Sequence, residues 1–303
     1  MAAVRGAGFS SGVAEDPNFE HLRRNLDEAA ELGVEFVELP LFAMDLLAGG
    51  RILPGQLRRL KEAIAGRGLS YNAHGPIAVN FMQPRGVLGR HLAVARATIE
   101  VAAEIGAGHL VMHTGHIPAQ TEAGIEEAYA QQRDAFASLG DIAALHSIVI
   151  AVENIFVNED GSHTALPSRL AREIEAIDHP NVRGCLDFSH AAITCKEQGA
   201  DYFTEAKALA RVARHLHLHD SFGDPVRLRT YTRSERVAYG QGDLHLPIGW
   251  GTLPWHDMMA AFEFEPGVIF NLELPVPYWF ALADSMQAVQ EMAEAYRARR
   301  SNA

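Results

Sequence analysis

Short runs of β-branched and other apolar residues recur along the chain. Each is followed by a longer stretch in which apolar positions repeat every three or four residues. The runs Val4 to Ser10, Val34 to Leu39, Leu69 to His74, His109 to His113, Ile148 to Glu153, Val182 to Asp187, His215 to His219 and Val268 to Leu274 have the length and composition of buried strands. The stretches between them have helical spacing: Phe19 to Leu32, Gln56 to Ala65, His91 to Ile105, Ile125 to Leu145, Pro167 to Ile177, Tyr202 to Ala213 and Trp255 to Phe262, with Ser285 to Arg299 closing the chain. Strand-then-helix alternation over about eight units predicts a closed parallel (β/α)8 TIM barrel of the α/β class. An open doubly wound sheet is the alternative, but it usually places a Gly-x-Gly-x-x-Gly turn after its first strand. Gly6, Gly8 and Gly12 lack that spacing.

Length and composition fit this picture. A chain of 303 residues suits one barrel. No linker, repeat or low-complexity tract divides it, so a single domain over residues 1–303 is expected. The formal charge of -12 argues against broad attraction to nucleic acid, which depends on Lys and Arg neutralising phosphates. Met1 to Ser10 has no basic flank followed by an apolar stretch, and no run of about 18 uncharged apolar residues occurs. The expectation is a cytoplasmic protein with no membrane partner. Cys185 and Cys195 lie in or just after one strand, which makes a structural disulfide between them an unfavourable arrangement.

The strand ends carry the chemistry. His74 ends the third run, His113 the fourth, Glu153 the fifth and Asp187 the sixth, while His217 lies in the seventh and Glu273 in the eighth. His190 follows Asp187 closely, and Asp243 and His245 lie in the loop after strand seven. In a barrel these ends converge on one mouth, where barrel active sites are built. A single histidine on a strand is ordinarily a hydrogen-bonded core residue, but nine such groups converging favour a metal centre. Acids almost never occupy buried strands unless paired or coordinating, and Glu153 follows Ile148-Val149-Ile150-Ala151-Val152. Mixed imidazole and carboxylate donors suit zinc or manganese better than calcium. Alternation along His215-Leu216-His217-Leu218-His219 puts three imidazoles on one face. His217 is the ligand choice there, His219 and Asp220 are candidate substrate contacts, and His215 has a core role.

These residues give the chain its resemblance to the xylose isomerase-like barrel superfamily, which includes endonuclease IV and many sugar isomerases and epimerases. The most specific pieces are Cys185-Leu186-Asp187-Phe188-Ser189-His190-Ala191, His217-Leu218-His219-Asp220-Ser221 and Asp243-Leu244-His245-Leu246-Pro247-Ile248-Gly249-Trp250-Gly251. The endonuclease IV branch implies up to three ions. His74, His113 and Glu153 would hold the first, Glu153 would bridge to a second held also by Asp187, His217 and Glu273, and His190, Asp243 and His245 would hold the third. The isomerase branch implies one ion held by Glu153, Asp187, His217 and Glu273, with the two glutamates moving protons on either side of a bound ketose.

Two functions therefore stand beside each other: a metal-dependent isomerase or epimerase acting on a small sugar, sugar phosphate or polyol, and a phosphoester hydrolase using two or three metals. A barrel that merely binds carbohydrate has no need of so many ligands. Duplex DNA is disfavoured as a partner, because His74 is followed by Gly75-Pro76-Ile77 and Phe42 by Ala43-Met44-Asp45-Leu46-Leu47, without the aromatic and basic residues that the endonuclease branch inserts into a duplex. Phe42, Phe81, Phe156, Trp250 and Trp279 are candidates to wall a small-molecule pocket. The segment 223–240 departs from the general acidity, with Arg227, Arg229, Arg233 and Arg236 opposed only by Asp224 and Glu235. Arg227 and Arg229 are expected to hold a substrate anion if the segment overhangs the site; a solvated loop or a contact between copies in a homo-oligomer would use the same residues.

Overall fold

The computed structural model describes residues 2–12, 18–118, 121–157 and 162–301. Eight strands form one sheet: β1 (Val4–Ser10), β2 (Phe36–Pro40), β3 (Ser70–His74), β4 (His109–His113), β5 (Val149–Glu153), β6 (Val182–Asp187), β7 (Ala213–Leu218) and β8 (Val268–Leu272). Each pairs in parallel with its sequence neighbours, and β1 bonds to both β2 and β8, which closes the barrel. Closure removes the open-sheet alternative. Strands β2, β5 and β8 are buried at every position, as a sheet covered by helices outside and filled by side chains inside requires. Gly8 permits the close approach of β1 to β2, since a Cβ there would lie 2.1 Å from the Phe36 carbonyl oxygen.

Register positions the chemistry. Ser10 lies opposite Glu38, Pro40 opposite His74, His113 opposite Glu153, and Asp187 opposite His217. All but Glu38, which lies in the middle of β2, stand at or next to the carboxyl ends of their strands, so neighbouring strands deliver their reactive side chains to one rim. Two residues earlier on the same faces, Val111, Ala151 and Cys185 form a small apolar cluster that closes the barrel interior beneath the rim. The larger core lies between barrel and helices and joins Phe9, Leu39, Leu110, Ile150, Leu186, Leu216 and Phe270.

The helices follow the apolar stripes where stripes exist. Glu20–Glu31 buries Leu22, Leu26 and Ala29, one face of a helix. Arg85–Glu104 starts earlier than the spacing predicts, because Arg85 to Arg90 are mostly exposed and contribute no stripe. Phe188–Gln198 had no amphipathic signal at all, since Phe188 to Cys195 are buried on every side. Its ends explain it: the Asp187 side chain caps the amino end by accepting from His190 N, and Gly199 takes the left-handed conformation at the carboxyl end. Cys185 and Cys195 are both free and buried. No helix among the described residues is long and apolar enough to cross a membrane.

Candidate metal centre

Glu153 ends β5 at the middle of the rim, and its side chain is almost fully buried. Its two oxygens face opposite ways. Oε2 lies 3.2 Å from His74 Nε2 and 3.4 Å from His113 Nε2, whereas Oε1 lies 3.2 Å from His217 Nδ1 and 3.3 Å from His190 Nδ1. Glu273, just after β8, places Oε2 3.4 Å from His217 Nδ1. Two carboxylates thus flank one imidazole nitrogen.

A second group adjoins the first. Asp243 Oδ2 is 2.7 Å from His245 Nε2 and 3.3 Å from His190 Nε2. His245 reaches this position with φ at 46°, the left-handed region that non-glycine residues rarely occupy outside sites with a special demand. Asp187 serves two purposes: Oδ1 accepts from the His190 backbone N–H at 2.7 Å, and Oδ2 lies 3.1 Å from His219 Nε2. The His219 ring stacks on His245 with 3.8 Å between centroids. All nine ligand candidates named from the sequence, with His219, therefore meet at one mouth.

Glu38, the central residue of β2, joins them and was not singled out from the sequence. It is buried among His215, His217, Ser10 and Asn271. The signal was present in Phe36-Val37-Glu38-Leu39-Pro40, an acid inside an apolar strand.

Burial alone would neutralise these groups, yet their mutual attraction prevails. It opposes ionisation of Glu153, but His217, His113 and His190 hold the carboxyl well below its usual range. Asp243 behaves likewise under His245 and His190, as does Glu38 under His217 and His215. Conversely, burial opposes charge on His217, His190 and His245, but the neighbouring carboxylates raise all three, His245 to about 9. His113 moves the other way because burial outweighs Glu153.

Among the described residues, the ion-pair partners of Glu38, Glu153, Asp187, Asp243 and Glu273 are all histidines. Five carboxylates, three buried and two half-buried, with only histidines as ion-pair partners call for positive charge from elsewhere. Groups such as His74–Glu153–His217 and His190–Asp243–His245 hold their donor atoms within 4.8 Å of one another. Imidazole and carboxylate donors at this spacing fit zinc or manganese.

The centre floors a cavity of about 810 Å3, a size suited to a small organic ligand. Phe42, Ile77, Val79, Phe156, Leu244 and Val276 wall it. Phe42 packs edge-on to His74 and Phe156 lies against His190. Phe81 packs instead on Phe136 in the core, and Trp279 meets Phe9. Trp250 is exposed, beside Tyr278 and Phe280, and is not part of the cavity wall. Arg227 and Arg229 are also exposed and outside it; from the same segment it is Arg233, on the short helix Arg233–Tyr239, that lines the cavity. Its guanidinium lies 4.1 Å over the Tyr278 ring. The Asp220 carboxylate is occupied by backbone, accepting from Ser221 N at 2.9 Å and Gly249 N at 2.8 Å. Gly251 is needed for that turn, since a Cβ would lie 2.4 Å from Asp220 Oδ1.

The sequence matches the model of the xylose isomerase-like TIM barrel over residues 26–299. The chain belongs to that family. No curated protein sequence matches this xylose isomerase-like barrel significantly. Among solved structures it resembles a D-tagatose 3-epimerase-like protein, at 19% identity and a TM-score of 0.69, with 97% of this chain and 99% of the other covered. It also resembles a xylose isomerase domain protein from Planctomyces limnophilus, at 15% identity and 0.66 over 99% and 100% of the two chains. A 3-keto-D-glucoside 4-epimerase from E. coli gives 16% identity and 0.62 over 95% and 99%. At such identities the likeness is one of fold, running nearly end to end.

Proposed function

We propose that this xylose isomerase-like barrel is a divalent-metal-dependent isomerase or epimerase of a small sugar, sugar phosphate or polyol, working at the carboxyl-terminal rim. The observation that carries this is the pair Glu153 and Glu273, both within 3.4 Å of His217 Nδ1 at the floor of the cavity. Epimerisation beside a carbonyl needs one group to remove a proton and another to return it, and two carboxylates facing one point supply both. The similarity in fold to sugar epimerases supports the same reading.

Glu153, Asp187, His217 and Glu273 would hold the essential ion, zinc or manganese. When bound it polarises the substrate carbonyl and neighbouring hydroxyl, making the adjacent C–H more acidic. Glu153 and Glu273 then exchange the proton on opposite faces of that carbon, and the walls Phe42, Phe156 and Val276 exclude water from it. Arg233 would receive a phosphate at the far end of the substrate, because no carboxylate pairs with it among the described residues. Arg233→Ala is expected to raise KM for a ketose phosphate about tenfold or more, the value of a charged hydrogen bond, while leaving KM for the unphosphorylated ketose unchanged. Equal effects on both would remove Arg233 from substrate recognition.

A second reading rests on a separate observation. His74 and His113 beyond Glu153, and His190, Asp243 and His245 on the other side, supply enough ligands for up to three ions. A phosphoester hydrolase of small phosphorylated substrates would use them all. Metal content by elemental analysis, with phosphate release from a panel of phosphoesters, separates the two. One ion per chain and no release supports the isomerase; about three ions with rapid release supports the hydrolase.

A further inference from the structure

His217 has two ring nitrogens, and the structure gives them different neighbours. Nδ1 faces Glu153 and Glu273 at 3.2 Å and 3.4 Å, on the side of the candidate ion. Nε2 faces Glu38, 3.3 Å from Oε1 and 3.5 Å from Oε2. Only one nitrogen of a neutral imidazole carries a proton, and only the other can ligate a metal.

Glu38 is itself fixed. The Ser10 hydroxyl donates to Oε1 at 3.2 Å and Asn271 Nδ2 at 3.4 Å, while His215 Nε2 lies 3.0 Å from Oε2. A carboxylate so held is a rigid acceptor aimed at His217 Nε2. Ser10 also reaches Glu273, with Oγ 3.5 Å from Oε1, so the same hydroxyl borders a second ligand candidate.

We infer that Glu38 is a positioning residue that takes the Nε2 proton of His217, fixing its ring and tautomer so that Nδ1 is presented to the metal. The inference rests on the proposed metal-dependent reading. Carboxylates behind ligating histidines act this way generally, and their loss costs 10–100-fold in metal affinity. Glu38 also borders the cavity, so direct ligation is the competing role.

The test is chelator competition with zinc on the full chain and on Glu38→Gln, with ion content measured in parallel. The expected result is an unchanged number of ions and an affinity for one of them lowered 10–100-fold. Unchanged affinity would overturn the inference while leaving the metal reading intact, and loss of a whole ion at saturating zinc would overturn it by making Glu38 a ligand. Absence of zinc binding by the unaltered chain would remove both. If Glu38→Gln does not fold, a zinc-loaded crystal structure of the unaltered chain decides: the ion on His217 Nδ1 with Glu38 beside Nε2 is expected, and an ion on Nε2 or on a Glu38 oxygen contradicts it.

Discussion

At the scale of single residues, the two-sided contacts of Glu153 make it the group on which the centre depends. Glu153→Gln keeps the shape but removes the negative charge and one of the two oxygen donors, and is expected to lower metal affinity about 100-fold or more and to abolish turnover, measured by metal titration and assay together. Retained metal with lost turnover would limit Glu153 to proton transfer. The charges also set a pH dependence. His245 is raised to about 9 by Asp243 against the effect of burial. A raised histidine stabilises the folded chain fully below its unfolded pKa, and the gain disappears as pH rises through the folded value. The metal-free protein is therefore expected to lose thermal stability between pH about 6.5 and about 9. Metal replaces the proton on these ligands, so Tm of the loaded protein should be flatter over the same range. A flat metal-free curve would contradict the His245–Asp243 pairing. The residues at strand ends were legible from sequence because acids and histidines closed apolar runs. Glu38 escaped because Leu39 and Pro40 follow it, so it did not stand at the end where attention falls. Arg233 could not be told from Arg227 and Arg229, since composition does not say which side of a loop faces inward.

At the scale of elements, periodicity reveals a helix only when one side meets solvent. Glu20–Glu31 displays its stripe, and Leu26 at its centre is fully buried. Leu26→Ala is expected to cost about 2–5 kcal/mol in chemical denaturation while leaving metal affinity unchanged, since the helix packs on the outside of the barrel. Phe188–Gln198 is the converse: its buried surface hides the period, and it is announced only by Asp187 and Gly199 at its ends. That cap ties folding to chemistry, because the carboxylate that starts the helix also borders the centre. Asp187→Asn retains a cap of equal strength, so it should weaken metal binding with little loss of Tm. A large fall in Tm with unchanged metal affinity would make Asp187 a structural cap alone.

At the scale of the whole molecule, eight parallel strands closing on themselves bring residues as distant as Glu38 and Glu273 to one rim. The number of strands and their order were legible because short strand-like runs alternate with longer stretches of helical spacing. The loops that roof the cavity were not, since their paths depend on turns such as Asp220 with Gly249 and Gly251. Metal-dependent proton exchange beside a carbonyl is the chemistry proposed for this rim. Its most direct test is to incubate the zinc- or manganese-loaded protein in deuterium oxide with ketoses and ketose phosphates, and to follow deuterium entering the carbon next to the carbonyl. Incorporation with at least one substrate, abolished by chelation and by Glu273→Gln, is the predicted result. Metal-dependent phosphate release without any deuterium incorporation would contradict it.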